Sequence, residues 1–469
     1  MYAKRPTWQQ FIRIHSQYIL ILCCLFLLFS GCDDAQGLLP MTSQLTSEKA
    51  DAHGIATEAT RRAQLTKVQQ IMQGMTLDQK LGQLLVVEYI GTGYKDTGLQ
   101  YMIAQQFVGG YLYQAVNNNF AAPHDTIGGV TAFVAQAMSD AKIPLLIAVD
   151  QEGGQVNKLQ TFYGPLPSAA SMAASGDPNV AWSQAAQDAQ RMHDLGINTD
   201  LAPVVDVGPT SNLLQDRQFS ADPTTVATYA GAFLNGLQKN SIVACLKHFP
   251  GLGSLPNRVS ADPHFDLPVV DRSLTDVENI DLVPYKTILR QTQPAMIMST
   301  DVLTTAIDPG LPAELSPKAI DGVLRKELGY DGVVITDGLY MEGITSRWSL
   351  SHAAVLALLA GNDLIEGPYT PNQVASVVFA LKQALQQGQL SMQRIDQSVQ
   401  RILLMKVQYG IIKRDVLAYR TLPFSLQSYP APLVVRGWGG GNCSMVLIRM
   451  RKFCACCKKQ VHRVLFTKI

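Results

Sequence analysis

The chain has 469 residues, 47% hydrophobic and 16% charged, with 36 Gly and 24 Pro, enough to bury the core of one large domain or two ordinary ones. That mix excludes a disordered chain, a collagen and a coiled coil. The net charge of +1 conceals three unlike segments. Residues 1–32 carry three Lys/Arg and no acid, residues 416–469 carry nine and no acid, and between them 26 basic residues face 37 acidic ones, a net of −11. An acidic body gives no electrostatic footprint for a phosphate backbone, so no nucleic acid is expected as a partner, and a neutral small molecule remains open.

Lys4, Arg5 and Arg13 precede twelve residues, Tyr18 to Phe29, with no polar side chain beyond Tyr and Cys. That length suits the apolar core of a signal peptide and falls short of the ~20 residues of a bilayer span. The run ends in Phe29-Ser30-Gly31-Cys32, which resembles a bacterial lipoprotein signal with Cys32 as the lipid-attached first residue of the mature chain. Phe29 stands where Leu is usual. An uncleaved N-terminal anchor is the alternative, and both readings put the body outside the cytoplasm, held at the cell membrane. Residues 33–64, rich in Ser, Thr, Ala, Gln and Gly, read as a flexible tether. Of eight Cys, the long body holds only Cys245. No disulfide framework is possible there, and a buried inert thiol is expected.

From residue 81 to 367 one rhythm repeats: a short apolar run, a Gly/Pro/Asp-rich turn, then a segment of helical period. The runs are Leu84–Val87, Gly110–Tyr113, Leu145–Asp150, Asn198–Val207, Ile242–His248, Ala295–Thr300, Gly332–Asp337 and Asp363–Gly367. Runs apolar on both faces suit buried parallel strands, and segments such as Ala181–Leu195, Thr224–Lys239 and Pro317–Leu328 suit crossover helices. Eight such units predict an α/β fold of the (β/α)8 TIM-barrel type over residues 65–412, with an open doubly wound sheet as the competing architecture. No Gly-x-Gly-x-x-Gly follows the first run, which argues against a dinucleotide site. Helical segments around Gln373–Gln387 and Ile395–Tyr409 complete the last crossover.

Several runs close on polar or ionisable residues: Asp150, Asp206, Lys247-His248, Thr300-Asp301 and Asp337. Each alone is equally a turn former or helix cap. Converging on one barrel rim, they point to carboxylate chemistry on a polyhydroxylated ligand. With no His/Cys cluster at metal-ligand spacing, neither a metal nor another cofactor is expected.

In order along the chain stand Met75-Thr-Leu-Asp-Gln-Lys-Leu-Gly-Gln-Leu84, Asp150-Gln-Glu-Gly-Gly154, Ala202-Pro-Val-Val-Asp-Val207, Asp216-Arg-Gln-Phe-Ser-Ala-Asp-Pro223, Lys247-His-Phe-Pro-Gly251, Asp262-Pro-His264 and Val334-Ile-Thr-Asp-Gly-Leu-Tyr-Met341. Over roughly residues 70–412 these blocks resemble glycoside hydrolase family 3, in particular its β-N-acetylglucosaminidase branch. The resemblance implies a retaining mechanism with Asp337 as nucleophile. It also implies His264 as proton donor, oriented by Asp262, in place of the second carboxyl group of ordinary retaining glycosidases. Asp150, Arg217, Lys247 and His248 match positions that hold the sugar next to the scissile bond; His248 alone is equally a satisfied rim histidine. The chain departs from the pattern in places. Gly338 replaces a second Asp, which removes a like charge beside Asp337 and should favour its ionised form. Pro263 replaces Ser or Thr, the stretch Gly253–Ala261 is longer than usual, and Gln155 and Lys158 stand where arginines are usual, so no forked guanidinium is available there.

The resemblance implies an exo-acting β-N-acetylhexosaminidase, a monomer, that removes terminal β-linked N-acetylglucosamine from peptidoglycan fragments or chitooligosaccharides. A β-glucosidase-like or phosphorolytic relative and a catalytically silent sugar-binding lipoprotein are the alternatives. Residues 413–469 form a basic, Cys-rich tail, with Cys454-Ala-Cys-Cys457 and His462, expected to stand apart from the fold.

Overall fold

The computed structural model describes residues 58–413. The leader, Cys32, most of the tether and the basic tail lie outside the described residues. Helical backbone runs over 58–73, so residues 58–64, assigned above to the tether, belong to the folded body. Glu58 pairs there with Arg61 and Arg62 at 2.9 and 2.8 Å, one turn apart, and Val68 anchors the helix in the core.

Eight parallel strands close a barrel in chain order: β1 (Leu85–Val87), β2 (Gly110–Tyr113), β3 (Leu146–Val149), β4 (Thr199–Asp200), β5 (Val243–Phe249), β6 (Met296–Ser299), β7 (Val333–Gly338) and β8 (Leu364–Glu366). Closure is direct, with Leu85 opposite Ile365 and Val86 opposite Gly110. Almost every strand residue is buried, because side chains fill the barrel inside and helices cover it outside. Each apolar run of the sequence holds one strand. The run Asn198–Val207 is the least regular: only Thr199–Asp200 ladder, since Pro203 has no N–H to continue. Its backbone nevertheless stays on β5, Val205 N–H donating to the Lys247 carbonyl at 2.7 Å.

The helices start where short polar residues cap them. Thr126 caps Ile127–Asp140, Asp177 caps Pro178–Leu195, Asp222 caps Pro223–Lys239 and Thr370 caps Pro371–Gln386, three of these with Pro in the first turn. Lys318–Glu327 is π-wound. On the rim, a small second core of Val204, Leu214, Leu252, Leu255, Ala261, Val270 and Val302 supports the loops after β4, β5 and β6. A short parallel pair, Val269–Val270 with Leu303–Thr304, pins the end of the long loop after β5.

The last described helix, Met392–Gln408, reaches the amino ends of β1 and β2. Its fully buried Lys406 donates to Gln83 Oε1 at 2.9 Å and to the Gly109 carbonyl at 2.8 Å. Burial pushes the amine down to about 7. The folded state therefore carries a neutral amine above that pH, while the unfolded chain stays protonated to ~10.4. Folding releases a proton in that window, so stability rises with pH through it. Relative to Lys406→Met, the wild type should gain roughly 2 kcal/mol between pH 7 and pH 9 in chemical denaturation. Parallel profiles for the two proteins would show that the amine does not titrate.

Candidate active site

A cavity of about 470 Å3 opens at the carboxyl ends of the strands, and its wall contains Asp150, Arg217, Lys247, His248, Asp262, His264 and Asp337 together. Residues spread over nearly two hundred positions of sequence meet because each lies at the carboxyl end of a strand or in the loop that follows one.

The centre of the wall is a charge network. Glu152 lies in a ribbon, Gln151–Gly153 with Val156–Asn157, that folds back after β3. Gly153 turns that ribbon with φ +85, and a Cβ there would lie 2.2 Å from the Pro167 carbonyl oxygen. The Arg217 fork grips the Glu152 carboxylate through Nε and Nη2, both at 2.8 Å. Lys247 Nζ, projecting from β5, sits 2.8 Å from Glu152 Oε1 and 2.6 Å from Asp150 Oδ1. Burial alone would raise the Glu152 carboxyl, but Arg217 and Lys247 outweigh it and hold the group far below the ordinary carboxylate range. Burial likewise opposes the Lys247 charge, and Asp150 and Glu152 overcome it, so its amine lies above the usual lysine range. Both cations are thus fixed as cations.

His248 is held from behind. Its Nδ1 lies 2.7 Å from Asp206 Oδ2, and since a carboxylate only accepts, Nδ1 carries the proton. Nε2 then faces Arg217 Nη2 at 3.4 Å. Asp206 also receives the backbone N–H of His248 at 3.2 Å and of Leu252 at 2.6 Å, fixing the turn after β5.

Asp337 stands near the end of β7. Its Oδ2 accepts from Thr300 Oγ1 at 3.2 Å, its Oδ1 from Gly338 N at 2.9 Å, and its own N–H donates to Glu314 Oε2 at 3.1 Å. Gly338 does remove one carboxylate from the chain beside Asp337, but Glu366 from β8, and Asp301 and Glu314 from the loop after β6, bring carboxyl groups to the same place. Burial, then the charges of neighbouring carboxylates, pushes Asp301, Glu314 and Glu366 well above the ordinary range.

Across the cavity the loop after β5 carries Asp262 and His264. Asp262 Oδ1 receives His264 Nδ1 at 2.8 Å and its backbone N–H at 3.0 Å. Gly343 N–H donates to the Pro263 carbonyl at 3.0 Å, tying this loop to the segment after β7. The His264 side chain is 61% exposed, unlike the buried His248. With Nδ1 engaged, Nε2 is the nitrogen available to a ligand. The arrangement can seat a polyhydroxylated ring on Asp150, Lys247, Arg217 and His248, with a carboxylate on one side and an imidazole on the other.

The model of the "Glycosyl hydrolase family 3 N terminal domain" matches residues 76–405. The chain belongs to glycosyl hydrolase family 3. Beta-hexosaminidase LpqI of Mycobacterium tuberculosis is 35% identical over 337 residues, which is 70% of this chain and 82% of that protein. Among solved structures, M. tuberculosis LpqI is similar with a TM-score of 0.64 and 33% identity, covering 72% of this chain and 95% of its own. A glycoside hydrolase family 3 beta-N-acetylglucosaminidase from Paenibacillus sp. is similar with a TM-score of 0.67 and 32% identity, over 72% of this chain and 63% of that one. The chain is accordingly a glycoside hydrolase on a TIM barrel.

In this family 3 enzyme all seven non-lipid site residues expected from the sequence line one cavity. Glu152, Glu88 and Glu366, which also line it, were not singled out. Glu152 was legible as part of the Asp150-Gln-Glu block. Glu88 follows the first apolar run and Glu366 lies inside the eighth, with no motif to mark either. Gln155 and Lys158 do not supply a guanidinium: Gln155 Nε2 donates to the Leu214 carbonyl at 3.2 Å, and Lys158 lies on the cavity wall.

Removing Glu152 takes away the anion between the buried Lys247 and the partly exposed Arg217. Glu152→Ala should cost about 3–5 kcal/mol in urea denaturation. Because the folded carboxyl titrates below its unfolded value of ~4.3, the contribution is complete above that pH and lost only in more acid solution. The gap between wild type and Glu152→Ala should therefore be constant from pH 5 to 8; a gap under 1 kcal/mol would mean that the network is not held by this carboxylate.

Proposed function

We propose that this family 3 enzyme is a retaining, exo-acting β-N-acetylhexosaminidase that releases terminal β-linked N-acetylglucosamine. The observation that carries the reading is that Asp337 and the Asp262–His264 pair open into the same cavity. The names of the similar enzymes, a beta-hexosaminidase and a beta-N-acetylglucosaminidase, support the same class of bond.

In the first step the leaving oxygen takes a proton from His264 Nε2 while Asp337 attacks the anomeric carbon, so that the glycosidic C–O bond breaks as a glycosyl ester forms. In the second, His264, now neutral, takes a proton from water, and that water displaces the Asp337 carboxylate from the same carbon. Asp262 holds the ring's orientation and tautomer through Nδ1. Asp150, Lys247, Arg217 and His248 orient the ring. Peptidoglycan fragments or chitooligosaccharides are the proposed substrates. A leader ending at Cys32 supports a lipid-anchored enzyme outside the cytoplasm, where such glycans lie.

Trapping with a 2-fluoro or 5-fluoro glycosyl donor, followed by peptide mapping, should place one sugar mass on the peptide holding Asp337, and Asp337→Ala should fold and take up none. A sugar-binding protein without catalysis forms no adduct. Aryl β-N-acetylglucosaminide should be cleaved far faster than aryl β-glucoside, and added phosphate should not increase the rate.

His264→Ala should slow substrates with poor leaving groups by about 100-fold or more and activated aryl substrates much less, since proton donation matters most for the former. Equal losses on both substrate types would remove His264 from the donor role.

A further inference from the structure

The barrel mouth holds a second acidic pair that the mechanism does not use. Glu88 directly follows β1 and Glu366 ends β8, strands that pair with each other. On the other side, Glu366 is in register with Gly338, the residue after Asp337. A Cβ on Gly338 would lie 2.5 Å from the Tyr340 ring and 2.8 Å from Glu366 Oε2, so that ring and the Glu366 carboxyl together fill the space that a side chain next to Asp337 would take. Both glutamates line the cavity, yet they are only 1% and 3% exposed.

Glu88 Oε2 accepts from Asn117 Nδ2 at 2.6 Å, and the hydroxyls of Tyr340 and Tyr369 also stand beside Glu88, while Glu366 Oε1 is buried without a donor among the described residues. The nearby cations are committed elsewhere: Lys247 to Asp150 and Glu152, Arg217 to Glu152. Among the described residues no cation stands between the two carboxyls, and burial pushes both upward.

We propose that Glu88 and Glu366 share one proton and together read one hydroxyl group of the glycosyl unit held over Asp337. A carboxylic acid beside a carboxylate offers one O–H donor and free acceptor lone pairs, and a hydroxyl group is both acceptor and donor. An ammonium would need two acceptors, and a carbonyl would leave the carboxylate unmatched. The pair is thus a specificity-determining element of the sugar subsite. This rests on the glycosidase reading above but not on the acetamido group.

The test compares kcat/KM of the full chain on an aryl β-N-acetylglucosaminide and on its 3-, 4- and 6-deoxy analogues, for wild type, Glu366→Leu and Glu366→Gln. Loss of a hydroxyl from a site built to pair with it leaves buried polar groups unmatched. One of the three analogues should therefore fall by about 100-fold in the wild type. In Glu366→Leu the same ratio should shrink to a few-fold. Glu366→Gln, which keeps a donor, should retain most of it. Ratios equal within about twofold in wild type and Glu366→Leu would overturn the proposal. So would a wild type that loses less than about threefold on every analogue, a result that needs no variant to fold. If the wild type cleaves no N-acetylglucosaminide at all, the proposed function fails, and the same deoxy series on aryl β-glucoside still decides the role of the pair.

Discussion

The buried Glu152 carboxylate is the constraint on which the site depends. It stands between the Arg217 fork and Lys247, and those three side chains come from the ribbon after β3, the turn after β4 and the strand β5. A single anion therefore fixes the mutual position of three neighbouring strand ends. Without it, Arg217 and Lys247 would repel each other, and the Asp150 carboxylate that shares Lys247 would lose its geometry. The stabilisation is local and electrostatic, and the apolar barrel beneath makes it strong by keeping water away.

That arrangement also explains how one cavity tolerates so many acids. Asp150 and Glu152 are balanced by two cations. Asp301, Glu314, Glu88 and Glu366 have no cation of their own, and burial pushes them toward the neutral acid. Charge on the wall is therefore sorted by partner rather than by residue type. Counting acidic residues at the rim overstates the negative charge that a ligand meets.

Much of this was legible in the sequence, for identifiable reasons. Eight doubly apolar runs carry the barrel because strands covered on both faces have no polar side to interrupt them. Asp150, Lys247-His248 and Asp337 were found because they close such runs, and a barrel turns run ends into a rim. The limits have equally local causes. The run Asn198–Val207 suggested a long strand, but ladder bonds need N–H groups and Pro203 lacks one. Residues 58–64 have the composition of a tether and fold as a helix, since Val68 gives that helix a core to pack on. Glu88 and Glu366 were passed over because pairing across the β1–β8 seam joins residues almost three hundred positions apart, and only closure of the barrel makes them neighbours.

The two sides of the cavity differ in how they are built. Asp337, Lys247 and His248 belong to barrel strands and are held by at least two contacts each, whereas His264 sits on a rim loop with most of its side chain in solvent. A group that must bond to carbon needs a fixed approach, and a rigid strand end supplies it. A group that gives up a proton and later recovers one from water needs access to the leaving group and then to solvent. The loop gives His264 that access, while the Asp262 contact and the Pro263–Gly343 bond limit where its ring can lie. The satellite core under the loop, with Leu255, Ala261 and Val270 packed against Val302, is what lets so exposed a side chain keep a defined position. Rigidity for the carboxylate and supported exposure for the imidazole follow from one architecture, because a barrel ends every strand at the same rim but leaves each loop free in length.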